Sequence, residues 1–204
     1  MNANVHMSVG VATATGVALL IPTMQCESLI YYPICLGCAV VGALIPDIDA
    51  NGESKAKKEF KKVMSYLAIL VAFIICSSLI TGDISSIVKN FITSIRGIGF
   101  LGFLLCCIIG YKSDHRKFTH WLIGLVCFTF CFTLATDIKL GLWFGFGMLS
   151  HQVADMLNKK KITWLYPLKI DFARYICKAS STLSTVIGFV SVGLSCVFLS
   201  LLVK

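Results

Sequence analysis

The chain has 204 residues, 57% of them hydrophobic, with a mean hydropathy of +0.85 and a formal net charge of +8. Such a composition excludes an ordinary soluble domain and points to a protein that crosses a membrane several times. The positive charge alone does not make a nucleic-acid binder, because no aromatic or groove-reading pattern accompanies the basic residues.

The first apolar run, 7–21, follows His6 and contains no charge. No residue before Lys55 is basic, so the N-terminus lacks the charged flank of a cleaved signal peptide, and this run is expected to stay as a helix. Further apolar runs fall at 29–46, 63–82, 97–111, 119–136, 140–157 and 182–203. Several are nearer 15 than 20 residues, which predicts six to seven transmembrane helices. With no Pro- or Ser-rich linker, residues 1–204 are expected to form a single all-α, integral membrane helical bundle.

Between the third and fourth runs, Ile84, Ile87, Val88, Phe91, Ile92 and Ile95 recur at helical spacing, with Lys89, Asn90 and Arg96 on the other face. That pattern predicts one interfacial amphipathic helix, with Asp83 as its N-cap. Gly97, Gly99 and Gly102 match a dinucleotide-binding spacing, but no strand precedes them. Close helix packing is the better reading, as it is for Gly141 and Gly145. Of the ten cysteines, six lie inside apolar runs and read as small hydrophobes. Cys35 and Cys38 have the CxxC spacing without a second pair, and are expected to be reduced, packed thiols.

Topology follows from the basic residues. The loops 47–62, 112–118 and 158–181 hold five, three and six Lys or Arg, fourteen in all, against Lys89, Arg96, Lys139 and Lys204 elsewhere. The excess predicts that these three loops and the N-terminus are cytoplasmic. Their charge is then a solvated fringe beside anionic lipid headgroups.

With that orientation all four histidines fall at one membrane face. His6 opens the first run, His115 and His120 flank the second basic loop, and His151 lies near the inner end of its helix. Asp47 and Asp49 stand where the second run emerges on the same side. His151 and Asp155 are four apart, so both leave one face of a helix. Imidazole and carboxylate without thiolate suit zinc, manganese or iron. His151 and Asp155 offer two ligands, and Asp47, Asp49, His120 and His6 can complete a site for one or two divalent ions, four histidines being too few for three. His115 is a candidate ligand or proton donor, and Asp114 a candidate for orienting an imidazole. Arg116 presents a planar fork suited to a phosphate oxygen.

Gly42-Ala-Leu-Ile-Pro-Asp47-Ile-Asp49, His115-Arg-Lys-Phe-Thr-His120, Gly147-Met-Leu-Ser-His151-Gln-Val-Ala-Asp155, the early His6 and Trp164-Leu-Tyr-Pro167 together resemble the YdjM family of predicted membrane-bound metal-dependent hydrolases. That family is in turn similar to zinc-dependent phospholipases C and zinc nucleases. The resemblance implies Asp47 or Asp49, His120, His151 and Asp155 as core ligands, with His6 serving a second ion, and zinc as the metal. Lys117 departs from the family's usual glycine, and the further metal-binding histidines of the soluble enzymes are missing here. The implied activity is hydrolysis of a phosphoester, such as a phospholipid headgroup, at the cytoplasmic face of the inner membrane. Arg116 would steady the developing charge, and Asp49 or His115 would handle protons. Membrane lipids are the expected partners, and no nucleic acid is expected. A metal-ion or proton transporter using the same residues, or a non-catalytic membrane anchor or regulator, are the alternatives.

Overall fold

The computed structural model describes residues 3–49, 93–157, 162–168 and 182–203. Six α-helices lie among them: α1 (Ala3–Ala18), α2 (Tyr32–Leu44), α3 (Ile95–Lys112), α4 (Leu122–Ala135), α5 (Ile138–Met156) and α6 (Thr182–Leu202). Short 3-10 turns lead into α2 at Leu29–Tyr31, extend it through Ile45–Asp49, and precede α4 at Phe118–His120. The apolar run 63–82, Asp83 and most of the amphipathic segment lie outside the described residues, as does most of the basic sequence in 47–62 and 158–181.

Local chemistry sets the helix ends. Pro33 sits in the first turn of α2, where a missing N–H costs nothing. The Asp137 side chain accepts the Leu140 N–H at 2.9 Å and starts α5. Ser94 likewise accepts from the Gly97 N–H at 3.0 Å and starts α3. This corrects one expectation: Ile95 and Arg96, read as the end of the amphipathic segment, are the first residues of α3, because the Ser94 cap opens a new helix there.

Among the described residues, three stretches are long and apolar enough to cross a membrane, Leu29–Asp49, Ile95–Lys112 and Thr182–Leu202, and α4 is a shorter apolar helix. α5 is long enough but carries Ser150, His151, Gln152 and Asp155, and it is the most shielded helix of the bundle. It packs on α1, α2 and α4, so its polar groups meet protein rather than lipid. α6 leans on α1, and α3 on α4.

Glycine brings α2 and α5 unusually close. A Cβ at Gly42 would overlap the Phe144 carbonyl, and one at Gly147 would overlap the Ala39 carbonyl. Gly37, on the same helix α2, faces open space. Gly42→Ala is therefore expected to destabilise the detergent-solubilised protein by about 1–3 kcal/mol through overpacking. Gly37→Ala should raise stability slightly, by about 0.4–1 kcal/mol. Thermal unfolding of the two variants checks the opposite signs.

Helix direction also matters. α2 ends beside the C-terminus of α3, where Ile48 and Thr119 meet Gly110, whereas the start of α3 packs at the far end of α4, with Gly99 against Leu134 and Ala135. The chain thus leaves α2 at one end of the bundle and enters α3 at the other.

Candidate metal centre

One end of the bundle gathers every histidine of the chain. His6 comes from the first turn of α1, and Asp47 and Asp49 from the 3-10 extension of α2. The turn between α3 and α4 contributes His115, Arg116 and His120, and the last turns of α5 contribute His151 and Asp155. His6, Asp49, His120, His151 and Asp155 are all buried.

The close approach of α2 and α5 has a direct chemical result. His151 Nδ1 lies 2.7 Å from the Ala43 carbonyl, which can only accept, so Nδ1 carries the proton. Nε2 of the neutral ring then presents a lone pair. It has no hydrogen-bond partner and lies 3.7 Å from Asp47 Oδ1, another acceptor. Two acceptors facing each other in a buried space call for a cation between them. The backbone hydrogen bond is the kind of support that orients a metal-binding imidazole.

The His6 ring stacks on His151 with centroids 3.8 Å apart, and its Nε2 is 3.4 Å from Asp155 Oδ1. His6, His151 and Asp155 each offer a ligand atom within 4.8 Å of the other two. His120 Nε2 lies 3.6 Å from Asp155 Oδ2, and its Nδ1 lies 3.4 Å from Asp49 Oδ2. Burial alone would lower the His120 pKa, but the facing carboxylates of Asp155 and Asp49 outweigh it and raise it to about 9. The pocket therefore favours positive charge at this point. His6 Nδ1 and His120 Nε2 also lack hydrogen-bond partners. Buried imidazole nitrogens left in this state beside carboxylates fit a divalent ion better than a satisfied polar core.

Asp49 organises the neighbouring turn. Its Oδ1 is 2.7 Å from His115 Nδ1, and its Oδ2 accepts the Arg116 backbone N–H at 3.0 Å and lies within hydrogen-bonding reach of the Thr119 hydroxyl. Arg116 holds a left-handed backbone, with φ of 69°, which is strained for a side chain other than glycine. That conformation goes with an Arg116 Nη2 that donates to Asp155 Oδ2 at 2.9 Å. The guanidinium is thereby fixed against the cluster.

Eight of the nine residues singled out in the sequence, His6, Asp47, Asp49, His115, Arg116, His120, His151 and Asp155, meet at this one end. Asp114 does not join them. It pairs at the surface with Lys117 Nζ at 2.6 Å, so it orients no imidazole, and Asp49 holds His115 instead. Two supporting residues, Thr119 and Gln152, stood in the sequence only inside motifs and were given no role there. Thr119 binds Asp49, and the fully buried Gln152 donates to the Thr119 carbonyl at 3.0 Å while accepting from Trp164 Nε1 at 2.8 Å. The position of Gln152 beside His151 in a helix otherwise rich in apolar residues was the available signal. Among the described residues, no cysteine takes part in the cluster.

Along its whole length, residues 1–204, the chain matches the family described as YdjM inner membrane protein. No curated protein and no solved structure gives a match.

Proposed function

The chain belongs to the YdjM inner membrane protein family, and on that premise we propose that it is a membrane-bound, metal-dependent phosphoester hydrolase acting on a phospholipid headgroup. The observation that carries this reading is the pair of buried imidazole nitrogens without hydrogen-bond partners, Nε2 of His151 and Nε2 of His120, facing the carboxylates of Asp47 and Asp155. The bundle is taken to have six to seven spans, with the N-terminus and the cluster on the cytoplasmic side. The excess of basic residues in 47–62, 112–118 and 158–181 supports that orientation.

His6, His151 and Asp155 would hold one ion, with Asp47 facing the same His151 nitrogen, and His120 would serve it or a second. Zinc suits this nitrogen and oxygen set, with manganese or iron as alternatives. When bound, such an ion polarises a phosphoryl oxygen and lowers the pKa of a water to near 7. Asp49 holds Nδ1 of His115, so that ring can take up and release a proton at Nε2. His115 is also the most exposed histidine of the set, with a side chain 21% accessible. The Arg116 guanidinium, braced by Asp155, is positioned to bind a phosphate oxygen.

The test is incubation of purified protein in lipid nanodiscs with zinc and a panel of phospholipids. Release of a phosphorylated headgroup or inorganic phosphate, abolished by chelator and restored by zinc or manganese, is the expected result. Absence of any release, together with metal flux through the same protein in liposomes, would replace the enzyme by a transporter. Thr119→Val removes the hydroxyl that lies against both Asp49 Oδ2 and His120 Nδ1, while replacing no candidate ligand. It is expected to weaken zinc binding by about 10–100-fold, measured by competition with a chelating dye.

A further inference from the structure

At the end of the bundle away from the cluster, Cys26 follows the Pro22–Met24 turn and Cys35 lies near the start of α2. Their sulfurs are 3.5 Å apart. A disulfide needs 2.03–2.05 Å, so closure requires about 1.5 Å of further approach. The CxxC spacing draws the eye to Cys38, yet the sulfur in contact with Cys35 is that of Cys26.

The surrounding contacts hold this juxtaposition in place. Trp143 Nε1 donates to the Met24 carbonyl at 3.0 Å, and Gln25 Nε2 donates to the Ala18 carbonyl at 3.2 Å. The Cys26 N–H donates to the Tyr32 hydroxyl at 3.4 Å, and that hydroxyl donates to the Leu202 carbonyl at 3.1 Å. Cys35 is fully buried, whereas Cys26 is partly exposed and lines an open cavity of about 840 Å³ together with Glu27, Asp137 and Lys139. One sulfur of the pair is reachable from water and the other is reachable only through it.

We propose that Cys26 and Cys35 are joined by a disulfide that ties the α1–α2 connection to α2. The pair lies at the end opposite the histidines, so with the cluster cytoplasmic it faces the oxidising side of the membrane. In that respect the proposal rests on the orientation given above. The Cys26 thiolate attacks the disulfide of a protein or small-molecule oxidant, forming a mixed disulfide and releasing one thiol. The Cys35 thiolate then attacks Cys26 Sγ and expels the second thiol. The pair loses two electrons, the oxidant gains them, and the two cysteine protons end on the two released thiols.

The experiment uses the full chain in membranes, with free thiols blocked by N-ethylmaleimide before any reduction. Glu27 is the only acidic residue between the two cysteines, so cleavage after glutamate separates them. A linked peptide pair that falls apart on reduction is the expected result. Blockage of both thiols without reduction, or a link from Cys35 to Cys38, overturns the proposal. In the Cys35→Ser variant a membrane-impermeant maleimide should label Cys26 on intact spheroplasts. Labelling only after lysis would remove the orientation and, with it, the oxidising setting. Labelling from outside alongside two blocked thiols in the unmodified protein would remove the bridge alone.

Discussion

Replacing His151 and Asp155 together by alanine is expected to leave the purified protein without bound zinc, where the unmodified chain is expected to carry one or two ions. The two side chains leave one face of α5 and offer ligand atoms within 4.8 Å of each other and of His6. Zinc held by four protein ligands is worth about 10–16 kcal/mol at neutral pH. Loss of two ligands forfeits roughly half of that, about 5–8 kcal/mol, or on the order of 10⁴–10⁶ in affinity. Metal analysis after gel filtration reads this directly. Asp155→Asn is the companion variant, because its amide oxygen can still accept from Arg116 Nη2 and so preserves the fold around the guanidinium. Asp114→Ala, which removes only a surface pair with Lys117, should keep the full metal content. A double variant that elutes as a normal particle and retains its zinc would end the metal reading.

Asp49→Ala is expected to produce the largest loss of stability of any single substitution at this end, and to do so in chelator. The carboxylate is buried and engages three groups from the α3–α4 turn: the His115 ring, the Arg116 backbone N–H and the Thr119 hydroxyl. Removing one partner of a buried charged network costs about 3–5 kcal/mol, since the remaining groups stay desolvated. For a chain of this size that lowers the unfolding midpoint by roughly 2–4 °C per kcal/mol. Protease sensitivity should rise in the turn around Lys117. Asp47→Ala removes a partly exposed carboxylate 3.7 Å from His151 Nε2, and should cost less in chelator and matter mainly when metal is present. Equal midpoints for the two variants would mean that Asp49 does not anchor the turn.

Helical periodicity and short motifs made much of this legible before any coordinates. A spacing of four puts His151 and Asp155 on one face whatever surrounds them, and the basic loops gathered His6, His115 and His120 to the same end without reference to chemistry. What stayed hidden was non-local. Nothing in the order of residues says that Thr119 reaches Asp49, seventy positions away, or that Gln152 bridges Thr119 and Trp164. The left-handed Arg116 was equally invisible, because the strain is imposed by Asp49 and Asp155 pulling on its N–H and its guanidinium. The Ser94 cap was missed for a different reason. Isoleucines on both sides of it kept a helical rhythm, and a continuous rhythm conceals a break that a single hydroxyl makes. Cysteine spacing was no guide either, since among the described residues the thiol in contact with Cys35 is Cys26, nine residues upstream, not Cys38, three downstream in the helix.

The order in which the cluster's parts occur along the chain bears on biosynthesis. His6 is made first and Asp155 nearly 150 residues later, with Asp49 and His120 between them. A nascent chain halted before the end of α5 therefore holds polar side chains at the membrane edge without their final partners. A charge at the centre of a membrane helix costs about 2.5–3.5 kcal/mol on insertion, and one near its end less. Emergence of α5 from the translocon is thus the step at which the early helices cease to be candidates for degradation, and C-terminal truncations short of Met156 should be cleared from the cell far faster than those beyond it.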